Sequence, residues 1–421
     1  MFCPKSMIRR QIRGGVVLAV FIFLVLFQTP AIQAVGLNGR VSSDFYVTDE
    51  NDTTHVRPFE RLRADLLAWK GAGKESLTFH TYLRWTADWS KSTLRDPQTF
   101  VYDAYLKLTG MPKGTVIRLG RQFAYNSVGS ALLDGVRLQY QGNRRFQVDM
   151  FGGSTVSASD PEKIQTPADF SVVGGRLSTQ PVRSLRLGLN WIMRRMDGFT
   201  ATHRVGLDAE TEIDHVRLYG RAIYNVVGLR VGGLLMRASY APPKWYLSGE
   251  FDWREPSVSA NSIFSLIDFH RYKETRFEAQ RKVWRRLAAV GQLHVGVFDS
   301  DDSWRIGVGM RADNFSVVWR HQKGYGGIND GFYGYANVPL GRRWECFATA
   351  NAGRYRIQEE QVDRSDAYSG SLGLLWRPGH GWLARGEGQY LRNAVEKKDL
   401  RLLLRISKDF SFGDKTGIGM L

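Results

Sequence analysis

Arginines recur along this chain at alternate positions of short segments whose intervening residues are apolar. Arg84, Arg118, Arg137, Arg186, Arg217, Arg221, Arg254, Arg276, Arg305, Arg311, Arg320 and Arg385 all fall on the polar side of such segments. A guanidinium is planar, stays charged, and grips a carboxylate or phosphate through two parallel hydrogen bonds. Positive side chains ringing a pore favour anions. The same faces carry Asp44, Asp65, Asp88, Asp103, Asp149, Asp208, Glu250, Asp252, Glu274, Glu278, Glu345 and Glu387. Most of the arginines are therefore expected to pair with acids and brace a wall. The arginine surplus would set the charge of the space those faces enclose.

Other chemistry is hard to find. No H-E-x-x-H, G-x-S-x-G, P-loop or G-x-G-x-x-G occurs. The eight histidines are scattered. His80, His215 and His294 are expected to line the enclosed space, but no pair has ligand spacing, so no metal and no cofactor is expected. Cys3 and Cys346 are the two cysteines, too few for a disulfide framework or a metal cluster. Cys346 shares its face with Trp344 and Ala348, which suits an apolar environment.

The elements that position the arginines are strands. After the turn Ala241-Pro242-Pro243-Lys244, Trp245, Leu247, Gly249, Phe251 and Trp253 alternate with Tyr246, Ser248, Glu250, Asp252 and Arg254. Side chains of a strand alternate faces, so this stretch has one apolar and one polar face. A Trp at each end of the apolar face fits a lipid-facing strand with aromatics at both headgroup levels. The unit recurs from Leu37 to Phe412 and gives about 22 strands, within a range of 18–24. The expected fold is all-β: an antiparallel transmembrane β-barrel in a single domain over residues 35–421.

Composition agrees with a barrel. The 421 residues are 43% hydrophobic with mean hydropathy −0.30, too polar for a helical membrane protein. A barrel tolerates this because half of each strand faces water. The net charge of +17 would suit nucleic-acid binding, but the basic residues are spread over strands and turns without a basic tail, so no nucleic acid is expected.

Residues 1–34 read as a secretory signal peptide. Lys5, Arg9, Arg10 and Arg13 precede an apolar run from Gly14 to Phe27, and small residues lead to a cleavage site after Ala34. The run is about 14 residues, short of the roughly 20 a helical span needs.

Connections are expected to alternate between short periplasmic turns, such as Gln141-Gly142-Asn143-Arg144, and longer outer loops: Asp49–Val56, Ser90–Thr99, Phe123–Ala131, Ser154–Asp169, Glu255–His270 and Ile357–Ser365. Both termini would lie on the short-turn side. The apolar content of Glu255–His270 (Ile263, Phe264, Leu266, Ile267 and Phe269) suggests a loop folded into the lumen. The final strand ends on Phe410 and Phe412, similar to the terminal signal read by the barrel assembly machinery, with Ser407 where Gly is usual.

Leu119-Gly120-Arg121-Gln122, followed by Leu133-Asp134-Gly135-Val136-Arg137-Leu138, resembles the alginate-export and related porin-like outer-membrane barrels of Gram-negative bacteria. The resemblance covers about 20 residues and lacks the Trp- and Arg-containing insert of that family. It implies passive diffusion or export of anionic solutes through an Arg-lined lumen. The expected function is thus a non-enzymatic outer-membrane channel for small hydrophilic, preferentially anionic solutes. An adhesin or structural scaffold, and a barrel hydrolase, are the competing classes. Outer-membrane lipid, lipopolysaccharide, the assembly machinery and small anions are the expected partners, and the chain is a monomer or a homo-oligomer.

Overall fold

In the computed structural model, residues 36–50, 53–90, 98–143, 145–157, 162–255, 271–299, 301–356, 363–395 and 397–413 are described. The expected signal peptide, and all of the 255–270 loop except Glu255, lie outside them. The first eleven strands are β1 (Gly36–Glu50), β2 (Thr53–Lys70), β3 (Ser76–Thr86), β4 (Gln98–Thr109), β5 (Thr115–Asn126), β6 (Gly129–Asn143), β7 (Phe146–Thr155), β8 (Phe170–Val182), β9 (Leu185–Met196), β10 (Phe199–Ile213) and β11 (Val216–Asn225). They are followed by β12 (Arg230–Tyr240), β13 (Trp245–Arg254), β14 (Tyr272–Trp284), β15 (Leu287–Phe298), β16 (Asp302–Arg311), β17 (Phe315–Gly324), β18 (Ile328–Leu340), β19 (Trp344–Arg356), β20 (Ser365–Gly379), β21 (Trp382–Arg392) and β22 (Asp399–Gly413). Each strand pairs antiparallel with the next, and β1 pairs with β22 from Gly36↔Gly413 to Glu50↔Asp399. The sheet is a closed barrel of 22 strands. Closure pairs the first strand with the last, so neither end of the sheet is left open in lipid, where an unpaired backbone group costs several kcal/mol.

Strand alternation sorts the two faces. Leu372, Val308, Phe332, Phe277, Leu207 and Ile306 are exposed on the outside, whereas Asp44, Asp208, Asp252 and Glu387 are buried on the inside. Near the short-turn end the outer face carries Trp344 stacked on Trp376 at 5.4 Å, and the Lys408 ammonium 5.0 Å above the Trp382 ring. Trp304, Trp319, Tyr368 and Tyr390 mark the opposite end. Cys346 is a free, half-buried thiol opposite the outward Val338.

The strands run further than the sequence reading expects. Asp49–Val56 belongs almost wholly to β1 and β2, which continue to Glu50 and from Thr53. Phe123–Ala131 is no loop either: β5 and β6 are joined by the tight turn at Ser127-Val128. Extending a hairpin keeps its backbone groups paired, so polar residues there stay in strand. His215 sits in the tight turn between β10 and β11 at the short-turn rim, not on the lumen wall. The outer loops after Thr86, Thr155 and Arg356 are long, as expected.

Candidate functional site: an inward hairpin against a basic wall

The hairpin of β5 and β6 leaves the barrel wall halfway up. β4 pairs with β5 only between Ala104↔Arg121 and Thr109↔Val116, although its pairing with β3 continues to Gln98. β6 pairs with β7 only from Leu133 onward. The departure is built by glycine. Gly120, Gly135 and Gly153 are register neighbours across β5, β6 and β7. A Cβ at any of them would overlap backbone atoms of Ala104, Gly152 or Asp134. Gly120 also adopts φ +122°, a value closed to other residues.

Side chains lock the bend. Arg121 meets Asp134 in a bidentate pair, Nε–Oδ1 2.8 Å and Nη2–Oδ2 2.7 Å, with Arg121 only 7% exposed. The fully buried Gln122 amide donates to the carbonyls of Arg118, Gly120 and Gly135 at 3.3–3.4 Å. The residues that resemble the alginate-export motif are thus the bracket that turns the hairpin inward. They fix a path of the chain.

The hairpin crosses to the inner face of β7–β11. Ala124, Val128, Ala131 and Leu133 pack against Phe151, Val172 and Ile192, with Ile223 beside them. This is the one cluster of buried apolar residues among the described residues. The Asn126 amide donates to the carbonyls of Gly175 (3.0 Å) and Trp191 (2.8 Å). The Ser127 amide donates to Asn190 Oδ1 at 3.3 Å, and Arg221 donates to the Ser127 carbonyl at 3.3 Å. Arg194 reaches the Ser130 carbonyl. Since this face is buried on the wall, the opposite face looks into the open lumen. It presents Phe123, 50% exposed, and Tyr125, 67% exposed, with ring centroids 6.4 Å apart. The hairpin places side chains in the lumen here; the inward-folding reading of the 255–270 loop falls outside the described residues.

The twelve arginines divide into two groups. Arg137 grips Asp149 through Nε–Oδ1 at 2.8 Å and also donates to the Phe123 carbonyl, so it props the hairpin and is almost wholly buried. Arg217 pairs with Glu212 at 2.7 Å, Arg254 with Asp252 at 2.7 Å, and Arg385 with Glu387 at 2.6 Å. Arg276 bridges Glu250 (3.3 Å) and Glu274 (2.5 Å), while Arg186 and Arg311 stand 3.8 and 3.7 Å from Glu210 and Glu278. These seven brace the wall.

The other five have no carboxylate in ion-pair reach among the described residues. Arg84 lies among the rings of Phe100, Tyr102 and Phe59, with its guanidinium carbon 4.5, 5.3 and 5.9 Å from the centroids. Arg118 stacks over Tyr105 at 5.4 Å and is the register neighbour of Lys107. Arg305 donates to Gln322 at 2.8–3.0 Å, Arg320 lies over Tyr333 at 5.4 Å, and Arg221 holds the hairpin tip. Aromatic faces and neutral acceptors hold a guanidinium in place without cancelling its charge.

Register brings part of this set into one line. Arg237, Glu250, Arg276, His294, Arg305 and Gln322 are successive neighbours across β12–β17 on the lumen face. Arg237 is absent from the sequence-derived set. Its signal was its alternation with Met236 and Ala238. His80, also on the lumen face, is buried between Asp65, 2.6 Å from Nδ1, and Tyr105, stacked at 4.8 Å.

The fold and the site define a class: a 22-stranded transmembrane β-barrel whose lumen is narrowed by its own β5–β6 hairpin. No known family's sequence profile matches the chain, and no curated protein does. Solved structures of porins do resemble it. A BenF-like porin from Pseudomonas fluorescens Pf-5 aligns at TM-score 0.47 and 9% identity, over 89% of this chain and 98% of that one. OccAB3 of Acinetobacter baumannii aligns at TM-score 0.45 and 10% identity, over 90% and 99%. OccK7 (OpdD) of Pseudomonas aeruginosa gives 0.44 and 10%, over 90% and 99%. The alginate-export resemblance finds no support in these comparisons.

Proposed function

We propose that this chain is an outer-membrane channel for passive diffusion of small hydrophilic solutes, with a preference for anions. The observation that carries the reading is the set of lumen arginines without carboxylate partners among the described residues, Arg84, Arg118, Arg221, Arg305 and Arg320, around an inward hairpin. A positive surface enclosed by low-dielectric walls concentrates anions and lowers their entry barrier. Aromatic side chains at the narrowing, Phe123 and Tyr125, leave the eyelet partly apolar, so a solute passes by exchanging water for guanidinium contacts. Delivery to the outer membrane rests on the residue 1–34 leader and on the aromatic end of β22, the feature the assembly machinery would read.

The test is reversal potential and single-channel conductance in planar bilayers across a KCl gradient. The parent channel is expected to be anion-selective. Changing Arg305→Gln together with Arg320→Gln is expected to move the reversal potential toward zero with little change in conductance. A non-conducting barrel, or a cation-selective parent, would overturn the reading.

A further inference from the structure

The outer surface of the barrel carries a change of chemistry confined to one register step. On β16–β20, one outward row is Val308, Trp319, Phe332, Ala352 and Tyr368. The next row toward the long-loop end is Ile306, His321, Asp330, Arg354 and Asp366. The first row is a lipid belt with aromatics at its edge. The second is charged, and it still faces outward, because residues two apart on a strand share a face. It therefore lies where outer-leaflet headgroups meet the barrel wall.

The charged row is organised. The His321 ring packs against Trp304 at 4.9 Å and Trp319 at 6.2 Å, and its Nδ1 meets Asp330. Asp330 also holds Arg364 at 2.6 Å, and Arg354 meets Asp366 at 3.0 Å while its side chain stays 71% exposed. Lys323 lies one step above His321, and Arg392 is the register neighbour of Tyr368. Neither Lys323 nor Arg392 makes an ion pair among the described residues, and both are exposed. With Asp330 and Asp366 taken up by Arg364 and Arg354, Lys323 and Arg392 leave the collar two cations that no carboxylate meets among the described residues. It lies just below a rim bearing Asp299, Asp301, Asp302 and Asp363. Basic side chains facing a membrane surface are attracted to anionic lipid.

We infer that this collar is a binding site for the phosphates of lipid A, the anchor of lipopolysaccharide, with Lys323, Arg354, Arg364 and Arg392 as phosphate donors and Trp304, Trp319 and Tyr368 against the acyl chains. Arg354 and Arg364 keep free donor nitrogens beyond their carboxylate contacts, since a guanidinium has five N–H groups. The pairs with Asp330 and Asp366 hold those forks in place before lipid arrives. Lipid bound here would not enter the lumen, so the site is independent of the channel reading.

The experiment uses the full barrel folded in detergent. Native mass spectrometry counts lipid bound during titration with bisphosphorylated lipid A, with dephosphorylated lipid A, or with inorganic phosphate. Lys323→Gln with Arg392→Gln breaks no observed ion pair and is expected to bind bisphosphorylated lipid A roughly tenfold more weakly, the scale set by basic side chains at an anionic surface. Adding Arg354→Gln should weaken it further. Dephosphorylated lipid A should bind parent and variant alike, and inorganic phosphate should not compete at equal concentration. Single-channel conductance of the variants should equal the parent's, which also shows that they are folded. Equal retention of bisphosphorylated lipid A by parent and folded variants would overturn the proposal, as would capture of free phosphate in place of lipid.

Discussion

The Asn126 side-chain amide donates to the Trp191 carbonyl at 2.8 Å, joining two residues 65 positions apart across the barrel interior. The same amide reaches Gly175, and its oxygen accepts from the Val128 and Gly129 amides at 3.1 Å. One side chain therefore shapes the hairpin turn and fastens it to β8 and β9. Each such bond contributes about 1 kcal/mol net. Asn126→Ala should leave the barrel folded but release the tip. The expected result in planar bilayers is larger conductance with rapid fluctuations between levels; steady, parent-like conductance would show that the apolar cluster alone holds the tip.

Arg121 and Asp134 hold the base of the hairpin. Removing one member of a buried pair leaves an uncompensated charge, at a cost of about 3–5 kcal/mol. Asp134→Asn should lower the unfolding temperature in detergent and raise conductance more than Asn126→Ala does. Replacing both, Arg121→Met with Asp134→Leu, should recover much of the stability. A double variant no more stable than Asp134→Asn would mean that the pair acts through geometry and not through charge balance.

The barrel seam depends on Phe410. Gly39 is its register partner, and the Phe410 ring covers the space a Cβ on Gly39 would occupy. Phe412 lies 5.9 Å from Phe410 and is half exposed to lipid. Arg40 and Asp409 close the inner side through a 2.9 Å hydrogen bond. Phe410→Ala with Phe412→Ala should leave unfolded chain in the periplasm, read as loss of heat-modifiable migration on gels. Normal yield of folded barrel would refute a role for these rings in assembly.

The outer end of β3 is tied down by Asp88. Burial pushes its carboxyl up, but the Ser90 hydroxyl and amide, at 2.7 and 3.0 Å, and the Arg57 guanidinium, at 3.1 Å, outweigh it and lower it from 3.8 to about 2. A carboxyl depressed by folding stabilises above its unfolded value and loses that contribution as pH falls through its folded value. The knot should therefore be intact at pH 4 and open only toward pH 2. The carbon-13 shift of the Asp88 carboxyl in micelles should titrate near 2, and Arg57→Gln should raise the midpoint. A parent midpoint near 4 would show that the knot does not form.

The alternation of Trp245, Leu247, Phe251 and Trp253 with Glu250, Asp252 and Arg254 could be read without coordinates because lipid and water act on each side chain separately. A strand, its two faces and a count near 22 follow from that local rule. The path of β5 does not. Gln122, Ala124 and Asn126 alternate with Phe123 and Tyr125 just as a wall strand would, but Gly153 of β7 lets the hairpin backbone come close, Gly206 of β10 leaves room for the Val128 side chain, and Asn190 and Trp191 of β9 supply the hairpin's hydrogen-bond partners. Those residues are distant in sequence, and nothing in β5 names them. The same holds for the arginines. Their face was legible strand by strand, but whether Arg276 meets Glu250 or Arg305 meets Gln322 depends on register between strands. Register is a property of pairs of strands, so the charge left unpaired in the lumen was decided only when the barrel closed.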